Sequence, residues 1–339
     1  MAEGHAVHAP VMVDRVTDLL AISGSEPAVL VDATVGAAGH AGALLAVSGP
    51  AVHLVGFDRD EDALALAGRR LAAYRDRVTL VHAPYDELAR HVTPVVERVG
   101  PLMGVLYDLG VSSLQLDRAE RGFSFRAEGP LDMRMDRSAQ VTAAQLVNES
   151  SADDLARLIK SLGEERFARR IAAAIVRARP LHTTTALAQV VADAVPAATR
   201  RPGHHPATRT FQALRIAVNT ELDRFDASLP QALELSHDGG PLPDPLPAAA
   251  GQTTPGRGGR IVVLSYHSLE DRIAKRFFSD AAAGCICPPD LPVCGCGRVP
   301  LIRHLTRGAG RPDAGEVAGN PRARAARLRA VERIAGRES

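Results

Sequence analysis

The sequence predicts an α/β fold, a doubly wound sheet of mostly parallel strands carrying an inserted all-helical domain. Three observations carry that expectation. Short apolar runs ending in aspartate alternate with alanine- and leucine-rich helical patterns through the first 110 residues. The stretch from Leu102 to Asp136 opens as a buried strand, breaks at Asp108 and then runs on without helix or strand periodicity. From Ala139 to Thr199 the periodicity is helical throughout. A carboxylate at the end of an apolar strand points into the ligand crevice of such a sheet. The long loop behind it is costly to order unless it closes over something.

The elements follow in order. Val11, Val16, Leu19 and Leu20 fit a short amphipathic helix. Val29–Ala33 reads as the first strand, followed by the turn Gly36-Ala37-Ala38-Gly39 and a helix; VHLVGFD is the second strand, ending at Asp58. Strand, small-residue turn, helix, strand and acidic residue form the arrangement that binds the sugar of a nucleoside cofactor. The turn lacks the full GxGxxG spacing, and Asp32 precedes it. A pyrophosphate needs an uncluttered helix N-terminus, whereas an acidic residue there favours a cationic or amino-acid-bearing ligand such as S-adenosylmethionine. That places a nucleotide-dependent oxidoreductase second.

Val78–His82 is the third strand; beyond it Tyr85 is placed to stack on a base or to close the sheet edge. Met103–Tyr107 is the fourth, bringing Asp108 to the same rim as Asp32 and Asp58. In the helical stretch Ser151 and Asp153 are candidate caps, and Arg166, Arg169, Arg170, Arg177 and Arg179 recur at spacings that gather them on one exposed face for nucleic acid. Phe211, Leu214, Ile216 and Val218 are core candidates; His204, His205, Arg209 and Arg215 are candidates for the active-site side. Ile261–Ser265 is the fifth strand, followed by a helix for which Ser268 and Asp271 resemble a shortened capping box. The expected domains are 1–136 with 200–339, an insertion at 137–199, a Gly/Pro-rich excursion at 236–258 and a Cys/Pro loop at 284–298.

The formal net charge of +1 hides an uneven distribution. Residues 157–215 carry eleven Arg or Lys against three acidic groups, and the last forty or so are again arginine-rich, so two basic regions are available to phosphate. No apolar run reaches membrane-span length and the start lacks signal-peptide order, so a cytoplasmic protein is expected. Cys285, Cys287, Cys294 and Cys296 read CxC…CxC without the two-residue spacer of zinc knuckles. Thiols in a loop are expected there, with zinc on all four or disulfides as the alternatives.

Five ordered blocks resemble one family along nearly the whole chain: DLGVSSLQLDRAERGFSF with GPLDMRMD, GEERFARRIAAAIV, HPATRTFQALRIAVNTEL, SYHSLEDRIAKRFF and NPRARAARLRAVER. They resemble the bacterial 16S rRNA cytidine N4-methyltransferases known as MraW or RsmH. The resemblance implies a class I S-adenosylmethionine-dependent methyltransferase, a Rossmann-like sheet with a helical insertion. Its implied substrate is a decoding-region cytidine of 16S rRNA in the assembled 30S subunit, with no membrane partner and a monomer or homodimer as the assembly. It implies S-adenosyl-L-methionine contacts at Ala38, Gly39, His40, Asp58, Tyr85, Asp108 and Gln115, beside Asp32 and Gly36 from the turn itself. Where the family has paired glycines before the histidine, this chain has Ala38, expected in ordinary backbone angles.

Catalysis then consists of aligning N4 with the sulfonium methyl and accepting a hydrogen bond from N4, with Asp108 first choice as acceptor or else a cofactor contact alone, Ser265, His267 and Ser268 orienting the base, and no metal required. Arg134, Arg166, Arg169, Arg170, His205, Arg209 and Ser268 are the candidate RNA contacts, and the cytosine must be unstacked to enter. The competing class is a non-catalytic RNA-binding assembly factor that retains a nucleoside pocket; failure to bind S-adenosylmethionine is what would distinguish it.

Overall fold

The computed structural model describes residues 10–200, 203, 205–240, 257–284, 286–287 and 295–335. In chain order, α1 (Val13–Leu20) leads to β1 (Ala28–Asp32), α2 (Gly39–Val47), β2 (Val52–Asp58), α3 (Glu61–Arg70), β3 (Val78–His82), α4 (Leu88–Val99) and β4 (Leu102–Asp108). Seven helices follow: α5 (Ser113–Asp117), α6 (Ala143–Glu149), α7 (Ala152–Gly163), α8 (Ala168–Ala178), α9 (Thr184–Ala194), α10 (Thr208–Asn219) and α11 (Glu221–Leu235). The chain closes with β5 (Arg260–Ser265), α12 (Ser268–Ala282), β6 (Ile302–His304), α13 (Ala314–Gly319) and β7 (Arg327–Arg333). It divides into two compact units, residues 1–110 with 224–339, and residues 111–223.

The first unit is built on a seven-stranded sheet of order β3-β2-β1-β4-β5-β7-β6. The pairs β3–β2, β2–β1, β1–β4 and β4–β5 are parallel, and β7 is antiparallel to both β5 and β6. The central strands are apolar at every inner position because both faces are covered. Val29, Val31, Val55, Phe57, Val105 and Tyr107 pack toward a core shared with α4, Phe225 and Phe278. Leu30, Leu106, Val262 and Leu264 pack toward the opposite core with Val16 and Leu20 of α1. Gly104 makes that second face possible: a Cβ there would lie 2.7 Å from Leu30 Cδ2 and 2.9 Å from Leu20 Cδ2. Strand order reverses between β1 and β4, so the crevice of the sheet opens between Asp32 and Asp108.

The second unit is helical, with Leu155, Ile159, Ile171, Ile175, Leu187, Val191, Phe211 and Leu214 in its core. It begins earlier and ends later than the expected 137–199. Phe123, Leu131 and Met133 from the irregular stretch, and Phe211, Leu214 and Val218 from α10, all belong to the same apolar cluster. Asn219 ties the irregular segment down, its Nδ2 donating to Met133 O at 2.8 Å and its Oδ1 accepting from Met135 N at 2.8 Å. The stretch also contains α5, closed by a capping box between Ser112 and Gln115.

One of the two expected helix starts holds and the other shifts by a residue. Ser151 alone caps α7, with Asp153 in the first turn. The capping box of α12 joins His267 to Glu270 rather than Ser268 to Asp271; Asp271 instead binds Arg327 and Arg329. His204, Cys285, Cys294 and most of the 236–258 excursion lie outside the described residues. Among the described residues, no helix is long and apolar enough to cross a membrane, and no group of three or more His, Cys, Asp or Glu is arranged to hold a metal ion.

Candidate active site

β1, β2 and β4 deliver three carboxylates to one rim of the sheet, because each strand exits its apolar core at an aspartate. Asp32 is 1% exposed, and its Oδ1 accepts from Thr34 N at 3.2 Å. Burial pushes its pKa up to about 7 against the pull of His40, with the charges of Asp108 and Asp58 raising it further. Asp58 Oδ2 accepts from Gly36 N at 2.9 Å and its Oδ1 from Asp60 N at 2.9 Å. Burial also dominates there and carries Asp58 up to about 6.

Asp108 meets three other side chains. Its backbone N–H donates to Thr34 Oγ1 at 2.7 Å. Its Oδ1 accepts from the Tyr266 hydroxyl at 2.7 Å, and its Oδ2 lies 3.4 Å from His40 Nδ1. Burial raises its pKa, while His40 and the Tyr266 hydroxyl oppose the rise and Glu270 adds to it. His40 is 5% exposed and its Nε2 lies 2.9 Å from Val11 O. A carbonyl only accepts, so Nε2 carries a proton and Nδ1 is the side that answers to Asp108.

The turn between β1 and α2 is the tight one the spacing predicts, with one correction. Ala38 is in the left-handed region, φ 62° and ψ 30°, as the residue preceding α2. The expectation of ordinary angles therefore fails: the turn demands a conformation that costs an L residue about 1 kcal/mol or more. Gly36 shares the left-handed conformation at φ 49°, and a Cβ on Gly39 would lie 2.9 Å from Pro10 Cγ. The residues fit a cationic nucleoside ligand. An acidic rim in which burial raises all three carboxylates, with His40 acting against the rise at Asp32 and Asp108, gains from a positive charge brought to it. Tyr85 opens a 3₁₀ turn after β3, its ring edge-on to Tyr107 with centroids 5.9 Å apart.

Several predicted residues have other tasks. The Ser265 hydroxyl is buried and donates to Arg327 O at 3.4 Å. His267 is the N-cap of α12, with Nε2 3.1 Å from Glu270 Oε1; Ser268 is the first helical residue behind it. In the second unit, Arg134 forks onto Asp132 and donates to the carbonyls of Arg137 and Ala139. Arg209 donates to Glu164 O at the end of α7. Arg179 donates to Val147 O and Ser150 O, so it leaves the basic face and braces the end of α6. Arg166, Arg169, Arg170 and Arg177 are exposed on or beside α8, with Arg166 stacked 4.5 Å from the Phe167 ring centroid. His205 is exposed and its ring lies against Phe125 with centroids 4.5 Å apart. Gln115 Oε1 accepts from Ser112 N at 3.1 Å within the capping box of α5. Cys287 is half-buried and Cys296 exposed.

Three participants were missed from the sequence: Thr34, Tyr266 and Glu270. Thr34 stands two residues after Asp32, and Tyr266 lies between Ser265 and His267, so extending those motifs by one or two positions reaches both. Glu270 is 2% exposed, and its Oε2 accepts from Tyr266 N at 2.7 Å and His267 N at 3.2 Å.

The chain matches the model of the MraW methylase family over residues 5–243 and 250–334. It is 52% identical over 331 residues to the ribosomal RNA small subunit methyltransferase H of Saccharopolyspora erythraea, covering 96% of this chain and 93% of that protein. To the protein of the same name from Thermobifida fusca it is 51% identical over 331 residues, again covering 96% and 93%. With that of Symbiobacterium thermophilum it shares 46% over 338 residues, 98% of each chain. Matched from end to end in this way, with the strand-end carboxylates in place, the chain belongs to the MraW methylase family.

Proposed function

We propose that this protein methylates the exocyclic N4 of a cytidine in the decoding region of 16S rRNA, with S-adenosylmethionine as donor and the small ribosomal subunit as substrate. The fold is that of a class I S-adenosylmethionine-dependent methyltransferase. The observation that carries the reading is family membership over nearly the full chain, in a molecule whose sheet ends in the rim Asp32, Asp58 and Asp108.

When bound, S-adenosylmethionine supplies an electrophilic methyl on a positively charged sulfur. The chain's own groups have three tasks. Asp58, fixed by two backbone N–H groups, is the acceptor for the ribose hydroxyls. The left-handed turn at Gly36 and Ala38, with Gly39 and His40 behind it, sets the backbone that the amino-acid end approaches, and Tyr85 borders the base. Asp108 accepts a hydrogen bond from the cytosine amine, drawing its lone pair out of the ring, and takes or passes on the proton that N4 loses as the N–C bond forms. Alignment of amine and methyl supplies the rest of the rate.

Gln115 is retained as a cofactor contact on the family resemblance. For RNA, the exposed arginines Arg166, Arg169 and Arg170 are retained as phosphate contacts, and the exposed His205 as a further candidate. Arg134 and Arg209 are set aside because their guanidinium groups hold the second unit's own backbone, and Ser265, His267 and Ser268 act as scaffold at the end of β5.

The test is to incubate purified protein with labelled S-adenosylmethionine and small subunits from cells lacking the corresponding gene, then digest the rRNA and identify the product by mass spectrometry. N4-methylcytidine at one decoding-region position is expected from the wild-type protein, and none from Asp108→Ala that still binds the subunit. No N4-methylcytidine alongside an active control enzyme would end the assignment.

A further inference from the structure

We propose that Tyr266 is a positioning residue for methyl transfer, acting through Asp108: its hydroxyl occupies one oxygen of the carboxylate and confines proton exchange to the other, shared with His40. The inference rests on the reading above that Asp108 faces the reacting groups.

The geometry leaves few alternatives. The Tyr266 oxygen is 2.7 Å from Asp108 Oδ1. Burial and the adjacent carboxylate hold the phenol ionisation well above its usual value of 10.0, so at neutral pH the hydroxyl keeps its proton and donates it. Oδ1 is thereby always on the accepting side of that bond. A proton taken up by Asp108 therefore resides on Oδ2, where His40 Nδ1 stands 3.4 Å away. Because His40 donates from Nε2 to Val11 O, its Nδ1 is either a bare acceptor facing a protonated Asp108 or a donor facing a carboxylate. One proton thus has two seats, and the Tyr266 hydrogen bond favours the arrangement with Asp108 ionised.

Tyr266 is itself well anchored. Its backbone N–H donates to Glu270 Oε2 at 2.7 Å, and Glu270 belongs to the capping box that starts α12. The phenol is thus set by the β5–α12 junction, whereas the imidazole comes from α2 and the carboxylate from β4. Among the described residues, the charged and titratable groups facing Asp108 are His40 from α2, Tyr266 and Glu270 from the β5–α12 side, and Asp32 from β1, while the phenol also meets the charge of Glu316 from α13. Asp32 and Glu270 oppose ionisation of Asp108, which gives the phenol hydrogen bond a defined task.

Tyr266→Phe removes one oxygen and leaves the ring. Binding of S-adenosylmethionine, and of its neutral-sulfur product S-adenosylhomocysteine, is measured by calorimetry from pH 5 to 8.5, and single-turnover methylation of undermethylated small subunits over the same range. A positive sulfur is held better by an ionised Asp108, so affinity for the donor falls on acidification. Loss of a hydrogen bond to the charged form raises the midpoint of that fall by about one pH unit. The product, lacking the charge, should show a weaker pH dependence in both proteins. At pH 8.5 the variant should bind the donor within about twofold of wild type, which also shows that it is folded. Coincident midpoints for variant and wild type would overturn the inference, as would a slower rate with an unmoved pH profile, the mark of a purely structural residue. A shifted binding midpoint in a protein that methylates no small subunit would sustain the positioning role while removing the proposed function. A measurement on the wild type needs no variant. With only four tyrosines in the chain, ring-labelled tyrosine NMR should show one resonance that follows the acid titration of a carboxylate; four resonances insensitive to pH between 4 and 8 would again overturn it.

Discussion

Asp32→Asn should make the protein more stable, and only above a particular pH. Asp32 is 1% exposed and its pKa rises from an ordinary 3.8 to about 7, chiefly through burial. A group whose folded pKa lies above its unfolded one leaves stability intact below the unfolded value and removes it as pH rises to the folded value. The loss therefore begins near pH 4 and is complete near pH 7. A displacement of this size corresponds to roughly 4 kcal/mol at its upper bound, of which half is a sound expectation for a buried group that can relax. Asparagine keeps the acceptor for Thr34 N and never ionises. Variant and wild type should thus be equally stable at pH 4, diverge between pH 4 and 7, and hold a constant gap of about 2–4 kcal/mol above pH 7 in favour of the variant. Urea denaturation followed by far-ultraviolet circular dichroism suits a chain without tryptophan. A gap that is flat from pH 4 to 8, or that favours the wild type at pH 8, would refute the reasoning. Saturating S-adenosylmethionine should narrow the gap at pH 8, because the ligand's charge offsets the cost of an ionised Asp32 in the wild type alone.

Other substitutions test the scaffold around this rim. Gly104→Ala should cost about 1–3 kcal/mol in thermal or urea denaturation, since its methyl would press on Leu30 and Leu20 at 2.7 and 2.9 Å; an unchanged melting point would show that α1 is free to move. Asn219→Ala leaves Met133 O and Met135 N without their side-chain partner inside the second unit and should cost about 3 kcal/mol. Hydrogen exchange would register it first at residues 133–135. Ala38→Gly relieves about 1 kcal/mol of left-handed strain but forfeits a buried methyl of about 0.8 kcal/mol and gains unfolded-state entropy, so stability should change by less than about 1 kcal/mol. A gain above 2 kcal/mol would mean that the strain at Ala38 is larger than its backbone angles imply.

The sheet and its rim were legible because their determinants are local. A buried parallel strand is an unbroken apolar run, and the residue that ends it stands out: Asp32, Asp58 and Asp108 each close such a run. The extent of the second unit was not legible. Phe123, Leu131 and Met133 join its core from backbone that is neither helix nor strand, so no period announces them. The backbone of Met133 and Met135 is held by Asn219, 84 residues from Met135. The arginines show the same limit from the other side. Spacing placed Arg179 with Arg166, Arg169 and Arg170, yet only the folded backbone reveals the carbonyls of Val147 and Ser150 waiting for its guanidinium.

At the site itself, what composition and pattern conceal is conformation and pairing. Alanine at position 38 reads as a mild replacement for glycine until the turn is seen to require φ 62°, a property of the backbone path and not of the residue. Tyr266 stands 158 residues from Asp108, and nothing between them signals that the hydroxyl meets the carboxylate. The sequence placed three aspartates on one rim, whereas the fold adds that burial raises all three and that Asp32 and Asp108 share a histidine whose other nitrogen is already engaged. That addition turns a polar pocket into one with a preference of sign. With lysine or arginine beside Asp108, the rim would be neutral to an incoming sulfonium; held as it is by a phenol and an imidazole, its charge is left for the ligand to balance.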